Sequence, residues 1–469
     1  MNKTLASLMV AVLFAAPASA LEWQNIGPRA LGMEGAGVAM PQGPLNEYWN
    51  PAGIGMRGNT SGLIDPVHVH AALSGNILEG ANDLNKIANN PTAYTATDVT
   101  RALNKINQPG SGLRVDAAIA PAVKIKKVVV FTNVLAHMGA VPLADFSVTN
   151  PALLSNPSAA IRNNSKLTIK GIQLAEFGVG YGQELPFAPG VLLGGNLKLM
   201  KGQVGYFDYL VASNDSANND LFKKLKDGAK SSTNFGVDLG ALWDMDRTFT
   251  NLPMRPRLGL VGRNLNNPKF SQPAAATEAG LTNKFAVNPQ VRMGLAVSPL
   301  NWWHLAADLD MTKNTTPLDG RPSRQLSLGT EVDVFNRSWI NVPLRAGILR
   351  NVADNSKTML TLGGGLNFLH VHTDASLAWS PKKITTQSEG GSKTFPAEVA
   401  GGVSLSLLFG GGEEGAEKAA PTPAPQAAPA APAVQPGAKA DDQPVPTEKV
   451  REAAEKAHKD LDAESKKTP

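Results

Sequence analysis

Between residues 63 and 410 the chain returns repeatedly to one pattern: an apolar residue at every second position, for about ten residues at a time. In Val291-Arg292-Met293-Gly294-Leu295-Ala296-Val297-Ser298, the residues Val291, Met293, Leu295 and Val297 share one face. Arg292, Gly294, Ala296 and Ser298 share the other. Successive side chains of a strand point to opposite sides, so each such segment is a strand with one apolar face. The alternation recurs at Phe235–Trp243, Leu305–Met311, Leu326–Val334, Ile340–Ile348, Val371–Trp379 and Val403–Phe409. About ten residues is the length a tilted strand needs to cross a bilayer. A sheet in lipid must close on itself, because an open edge leaves backbone groups unpaired.

The pattern therefore predicts an all-β chain: a transmembrane antiparallel β-barrel of about 14 strands. The expected strands are 63–73, 112–121, 125–135, 167–182, 190–204, 234–244, 256–265, 289–298, 303–311, 323–333, 339–349, 357–368, 371–380 and 396–410. Segment 167–182 changes phase near Gln173, which predicts a bulge or bend. The connections sort by parity. Those after odd strands are mostly long (74–111, 136–166, 205–233, 266–288, 312–322, 350–356 and 381–395), and those after even strands are shorter (122–124, 183–189, 245–255, 299–302, 334–338 and 369–370). Outer-membrane barrels have short periplasmic turns and longer outer loops, and a soluble sandwich has no reason to sort its loops this way. Trp302, Trp303, Trp339 and Trp379 fall near strand ends, where aromatic girdles sit. Two short amphipathic helices are expected in loop 74–111, around Asp83–Ile87 and Thr100–Ile106, folded over the barrel mouth.

The ends of the chain differ from this body. Lys3, the apolar run Leu8–Ala16 and the sequence Ala18-Ser19-Ala20 read as a signal peptide over 1–20, with a mature start at Leu21. This places the protein in the outer membrane of a Gram-negative bacterium, with outer-membrane lipid as its first partner. Residues 21–62 are glycine-rich and irregular, as expected of an N-terminal plug or hatch. Residues 411–446 are a Pro/Ala-rich linker that cannot bury enough apolar surface to fold. Residues 447–466 read as a short periplasmic helix capped by Thr447. This tail is a candidate tether to a periplasmic protein or to the cell wall.

The chain contains no cysteine, which excludes thiol nucleophiles, thiolate metal sites and disulfides. Its net charge of +5 is too small and too dispersed for a direct nucleic-acid partner. His68 and His70, and His370 and His372, stand two apart on strands, yet no third ligand accompanies either pair, so no metal site is assigned. No nucleophile, base and oxyanion donors come together, so neither an enzyme nor a cofactor is expected.

The inward faces carry charge. Arg263, Asn264, Arg292, Asp308, Asp310, Glu331, Arg345 and Asp374 are expected to line the lumen, with Asp116, Asp238, Arg257 and Asp333. Buried charges are costly unless paired or wet, so a salt-bridged lining around a plug is expected. Arg263-Asn264 and the pair Asp308 and Asp310 are the expected anchors of that plug.

The N-terminal segment reads Arg29-Ala30-Leu31-Gly32-Met33-Glu34-Gly35-Ala36-Gly37-Val38-Ala39, followed by Tyr48-Trp49-Asn50-Pro51-Ala52-Gly53-Ile54. These motifs resemble the N-terminal segment of the FadL-like outer-membrane transport superfamily. They depart at Glu34 from its usual Gly-Met-Gly-Gly. Gly259–Phe270, Leu305–Asn314, Gln325–Glu331 and Leu344–Gly347 resemble the outer-membrane family of conjugal transfer proteins called TraF, distinct from the thioredoxin-like proteins of that name. The resemblance covers about residues 24–410. It implies a 14-stranded barrel with a hatch, in which Arg29, Gly32, Gly35, Asn50, Pro51 and Ala52 are the substrate or hatch residues. It also implies either passage of a hydrophobic small molecule or a non-enzymatic anchoring role beside a conjugative apparatus.

Overall fold

In a computed structural model of the chain, described residues run from 21 to 409. Those left out within that span are 58, 75, 109–110, 148, 155–163, 211–224, 250–251, 316–321, 338, 354–357 and 389–390. The expected signal segment, the Pro/Ala linker and the terminal helix lie outside the described residues.

One antiparallel sheet contains β1 (Ser61–Ser74), β2 (in two pieces, Gly112–Ile119 and Ala122–Ile125), β3 (Val128–Leu143), β4 (Lys166–Glu184), β5 (Val191–Leu210), β6 (Lys230–Asp244) and β7 (Arg257–Arg263). It continues through β8 (Gln290–Leu300), β9 (Trp303–Asp310), β10 (Gln325–Arg337), β11 (Ile340–Asn351), β12 (Thr358–Phe368), β13 (Val371–Trp379) and β14 (Glu398–Phe409). Both pieces of β2 pair with β1 on one side and β3 on the other, so they form one stave broken at Ala120-Pro121. β1 also pairs with β14, from Ser61 opposite Phe409 to Ala72 opposite Glu398. The wall is therefore a closed ring of fourteen staves, and it leaves no free sheet edge.

Burial along the staves is inverted relative to a water-soluble protein. Val69, Leu197, Leu199, Phe235, Leu239, Leu328, Leu362, Leu377, Val403 and Leu405 are exposed on the outer face. Asn196, Lys198, Asp238, Ser327, Arg345, Ser376 and Ser404, on the inner face, are buried. A large apolar belt outside and polar groups inside is the arrangement of a barrel whose solvent is hydrocarbon. The short turns 126–127, 301–302 and 369–370 gather at the end that also holds Ser61 and Phe409. Connections such as 75–111 and 264–289 extend from the other end. Short turns at one end and long connections at the other are the asymmetry of outer-membrane barrels.

Three local expectations are corrected. The turn between β2 and β3 is Lys126-Lys127, not 122–124, and β3 continues to Leu143. Pro121 interrupts the ladder without ending the stave, and Lys126 makes the turn at φ 54°. Gln173 marks no bulge, because β4 keeps unbroken register with β3 and β5 across it. The apparent phase change arises because Ile172 and Leu174 point inward into an apolar part of the lumen. The register does slip at Val334 of β10, between Asp333 and Phe335.

Loop 75–111 forms helices α3 (Ile77–Asn89) and α4 (Ala96–Ile106), both longer than expected. Ile87, Val99, Ala102 and Leu103 bury each other between them, with Leu84, Tyr94 and Ala144 packed alongside. Asn82 Nδ2 reaches the Thr385 carbonyl on the hairpin Lys383–Ser388/Gly391–Pro396, so two outer loops touch.

Candidate functional site: a plug seated inside the barrel

Residues 21–56 occupy the lumen, and nearly every one of them is buried. Two short helices shape this plug, α1 (Pro28–Gly32) and α2 (Asn46–Trp49). Gly27, at φ 88°, turns the chain into α1, and Pro28 starts it with a preset φ. Trp23, Tyr48 and Trp49 pack with ring centroids 5.7 to 6.0 Å apart. Tyr48 Oη donates to the Gln24 carbonyl at 3.0 Å and Trp49 Nε1 to the Ile26 carbonyl at 2.9 Å, so the buried polar ends of both rings are satisfied within the plug. Two wall cations close on this cluster. Arg263 stands 3.9 Å from the Tyr48 ring and 5.1 Å from Trp23, and Arg292 stands 4.6 Å from Trp23.

The Asn50-Pro51-Ala52 motif lies against inward-facing glycines. Asn50 Nδ2 donates to the Val38 carbonyl within the plug and to the Ala241 carbonyl of β6, each at 3.1 Å. Its Oδ1 accepts from the Ala52 amide at 3.1 Å. A Cβ at Gly240 would strike Asn50 Oδ1, one at Gly182 would lie 2.5 Å from the Pro51 carbonyl, and one at Gly194 would strike that same carbonyl. Farther round the ring, Gly259 and Gly294 make room for Val38, and Gly329 and Gly347 make room for Met33 and Glu34. Any larger residue at Gly182, Gly194, Gly240, Gly259, Gly329 or Gly347 would displace the plug backbone, so these glycines form its seat. Gly32 faces Gly363 and Ser376, and its carbonyl accepts from Thr361 Oγ1 at 2.9 Å. Glu34, where the motif departs from glycine, takes φ 53°, and Gly35 beside it takes φ 87°. Glu34 therefore carries a left-handed backbone that costs a non-glycine residue on the order of 1–2 kcal/mol.

Polar bonds fix the plug to three neighbouring staves, β8, β9 and β10. Arg29 meets Glu331 in a two-pronged pair, Nη2–Oε1 at 2.6 Å and Nε–Oε2 at 3.0 Å, and also donates to the Pro41 carbonyl. Glu331 is shared with Arg345 at 2.5 Å, and Arg345 reaches Asp374 at 2.6 Å. Asp308 Oδ2 accepts from the backbone amides of Gly37 and Val38, both at 2.9 Å. Arg292 pairs with Asp310 at 2.6 Å, and its guanidinium approaches the Gly35 carbonyl at 3.5 Å. Asp310 also takes the Gln325 amide, and the Asn264 amide donates to Asp238 at 2.8 Å. The hydrogen bonds of Asp310 and Asn264 therefore run within the wall, whereas those of Asp308 and Glu331 cross to the plug.

Sequence reasoning passed over several residues. Glu22 pairs with Arg114, which also holds Asp116 at 2.6 Å. Asp116 accepts from both His70 and His137 at 2.9 Å. Lys198 lies 3.1 Å from both Glu176 and Asp238. Glu47 receives Asn133 Nδ2 at 3.3 Å. Even-numbered inward positions of β4 and β5 carry Glu176 and Lys198, so strict parity would have found them. The misread phase at Gln173 hid the first. Nothing in the pattern of residues 21–62 singles out Glu22 or Glu47. Among the described residues no group of three or more possible metal ligands occurs. His70 is bonded to Asp116 and Glu398.

Below the plug, at the short-turn end, a vestibule of about 590 Å³ lies between Arg29, Asp333, Pro343, His372 and Asp374. On the outside of the same part of the wall an apolar groove of about 690 Å³ runs between Val69, Leu344, Leu362, Leu377 and Val403. Little side-chain mass separates the two. β12 carries Gly363-Gly364-Gly365 there, and Pro343 of β11 brings no N–H. Pairing between these staves lapses at Val342 and Pro343, between Asn341 opposite Asn367 and Leu344 opposite Gly364.

A family model described as "F plasmid transfer operon, TraF, protein" matches residues 47–310. No curated protein matches the chain. Among solved structures, the chain is similar to the Pseudomonas putida toluene transporter TodX, at 12% identity over 84% of this chain and 100% of that one, with a TM-score of 0.45. It is also similar to a Pseudomonas aeruginosa FadL homologue, at 11% identity over 84% and 100%, with a TM-score of 0.44. The family match runs from α2 of the plug to the end of β9 and takes in more than half of the chain, which therefore belongs to this TraF family.

Proposed function

We propose that the protein is a plugged outer-membrane conduit through which a hydrophobic or amphipathic small molecule passes when residues 21–56 leave their seat. One observation carries this reading. Among the described residues no backbone–backbone hydrogen bond joins the plug to a stave, so the pairing of the wall does not depend on it. What holds the plug is side-chain bonds, and water can replace these one by one. With the plug displaced, the inward residues form a polar passage that reaches the vestibule. From there the thin seam between β11 and β12 offers a way into the lipid phase. Arg29, Gly32, Gly35, Asn50, Pro51 and Ala52 act as the hatch in this reading. Glu331, Arg345, Asp374, Arg292, Asp308, Asp310, Arg263 and Asn264 form the wall against which it closes.

The chain has no cysteine, so a cross-link can be introduced cleanly. A Cβ at Gly294 would lie 2.8 Å from Val38 Cβ, close enough for a bridge once it relaxes to the ~3.8 Å that a disulfide takes. The variant V38C/G294C, in liposomes loaded with a small aromatic solute, should be closed when oxidised and regain flux when reduced. Equal flux in both states would refute a moving plug.

A second reading is an envelope anchor beside a DNA-transfer apparatus, favoured by the family description and by the tail, whose residues 411–469 lie outside the described part. In this reading the tail contacts a periplasmic protein or the cell wall. Deleting 411–469 should abolish plasmid transfer and leave the barrel folded. Undiminished transfer would remove this reading.

A further inference from the structure

The base of α2 rests in a compartment sealed from water. Five ionisable groups face one another there: Glu47 of the plug, Glu176 of β4, Lys198 of β5, Asp238 of β6 and Arg263 of β7. Each is at most 4% exposed. Tyr48 of the plug, Asn133 of β3 and Asn196 of β5 complete the surroundings.

The pairing is uneven. Lys198 stands 3.1 Å from both Glu176 and Asp238, and Arg263 stands 3.7 Å from Glu176. Among the described residues Glu47 has no cation within 4 Å, and the only side-chain donor to it is the Asn133 amide at 3.3 Å. That same amide nitrogen also lies 3.4 Å from Glu176 Oε2. One amide group is thus shared between two carboxylates. Three acids against two bases in a dry compartment leave one negative charge unmatched if all are ionised. An unmatched buried charge takes up a proton instead.

We infer that Glu47 is a proton-binding site that latches the plug: the segment is held while Glu47 carries a proton and is released more easily once that proton is lost.

Burial raises the Glu47 carboxyl from its ordinary value of 4.5 to about 8, against the opposing pull of Arg263. In the released plug the group returns to water and to its ordinary value. A raised acid favours the seated state fully below pH 4.5, and this advantage is lost as pH rises through 8. Between those limits each pH unit should favour release by up to about tenfold, and above pH 8 the effect should level off. The inference requires only that the plug can leave its seat, not that a solute then crosses.

The test uses the full chain in detergent with a single cysteine at Ala39, a fully buried plug position. The rate of maleimide labelling is measured from pH 5.5 to pH 7.5 in A39C and in A39C/E47Q, and their ratio cancels the thiol's own titration. The ratio should climb by tenfold or more across this range. A flat ratio would overturn the latch even if transport is later demonstrated. An infrared difference spectrum of the wild-type cysteine-free chain provides a check that needs no variant to fold. The C=O stretch of a protonated carboxylic acid must be present at pH 6.5 and fade above pH 8. Its absence at pH 6.5 would also overturn the inference.

Discussion

Arg29 on the plug and Glu331 on β10 face each other fork to fork, with N–O distances of 2.6 and 3.0 Å, and Glu331 is clasped from its other side by Arg345. One carboxylate thus neutralises a cation of the plug and a cation of the wall. Removing it should do more harm than removing either arginine. In Glu331→Ala two guanidinium groups lose their shared carboxylate, leaving Arg345 with Asp374 and Arg29 with the Pro41 carbonyl, and breaking a buried pair of this kind costs about 3–5 kcal/mol. We expect a lower urea midpoint for barrel unfolding in E331A. Arg29→Ala should leave that midpoint almost unchanged and raise only the labelling rate of a plug cysteine. Equal effects of the two variants on unfolding would show that the plug and wall do not share this carboxylate as described.

The glycine seat allows the same substitution to be made at two kinds of site. A Cβ at Gly240 would collide with Asn50 Oδ1 and lie 3.0 Å from the Ala52 amide. A Cβ at Gly401 would meet nothing closer than 3.9 Å. Gly240→Ala should therefore unseat the motif and make Ala39→Cys reactive, whereas Gly401→Ala should behave as wild type. If both variants label at the wild-type rate, close backbone approach is not what seats the plug.

How much of this could be read beforehand depended on what each stave faces. Staves with lipid outside and charge inside, such as β8 and β10, show clean alternation, so Arg292 and Glu331 were visible as inward residues. The alternation failed where the plug makes the lumen apolar. Ile172 and Leu174 point inward because Trp23, Tyr48 and Trp49 share their cluster, and that cluster is invisible to a local pattern. Lys124 misled for a related reason. It points inward and is buried, its ammonium donating to the Asn59 carbonyl at 3.0 Å, so a stave residue looked like a turn residue. Glu47 and Glu22 depend wholly on contacts far away in sequence, and no spacing rule could select them.

Asn50 offers a sharper test of the motif than its neighbours. Its amide donates to one carbonyl on each side of the plug–wall boundary and accepts from Ala52. Asn50→Asp keeps the acceptor and the shape but loses both donated bonds, placing a carboxylate against two carbonyls. Each unsatisfied buried group costs about 1–3 kcal/mol. Labelling at Ala39→Cys should rise in N50D well above its rate in N50 protein, with barrel unfolding little changed. An unchanged labelling rate would count against Asn50 as a clasp.

Acid should loosen the first turn of α4. Asp98 in the first turn of α4 accepts from the Thr95 amide at 2.9 Å and from Arg101 at 2.7 Å. The Thr95 amide, first among several donors, holds its carboxyl below the ordinary 3.8. A depressed acid stabilises the fold above its unfolded value and stops doing so as pH falls through its folded value, so the loss begins below about pH 4. Asp98→Asn should reproduce at neutral pH what acid does to the wild type. Amide exchange at Thr97 and Asp98 in the wild type, read against Ile87 of α3, would reveal this. Protection that is unaltered in D98N would show that the cap contributes nothing.

The seam can be closed without disturbing the plug. Leu344 and Gly364 stand directly opposite one another at the first paired position above the lapse, and a Cβ at Gly364 would lie 3.5 Å from the end of the Leu344 side chain. Directly opposed residues of antiparallel strands have Cα atoms about 4.5–5.5 Å apart, within the range a disulfide bridges. The variant L344C/G364C should form that bridge on oxidation and pin β11 to β12 beside the vestibule. If solutes leave through this wall, oxidation lowers flux several-fold, reduction restores it, and labelling of the plug stays the same throughout. If flux is unaffected while V38C/G294C still gates it, the solute travels along the barrel axis and the seam is only a thin place in the wall.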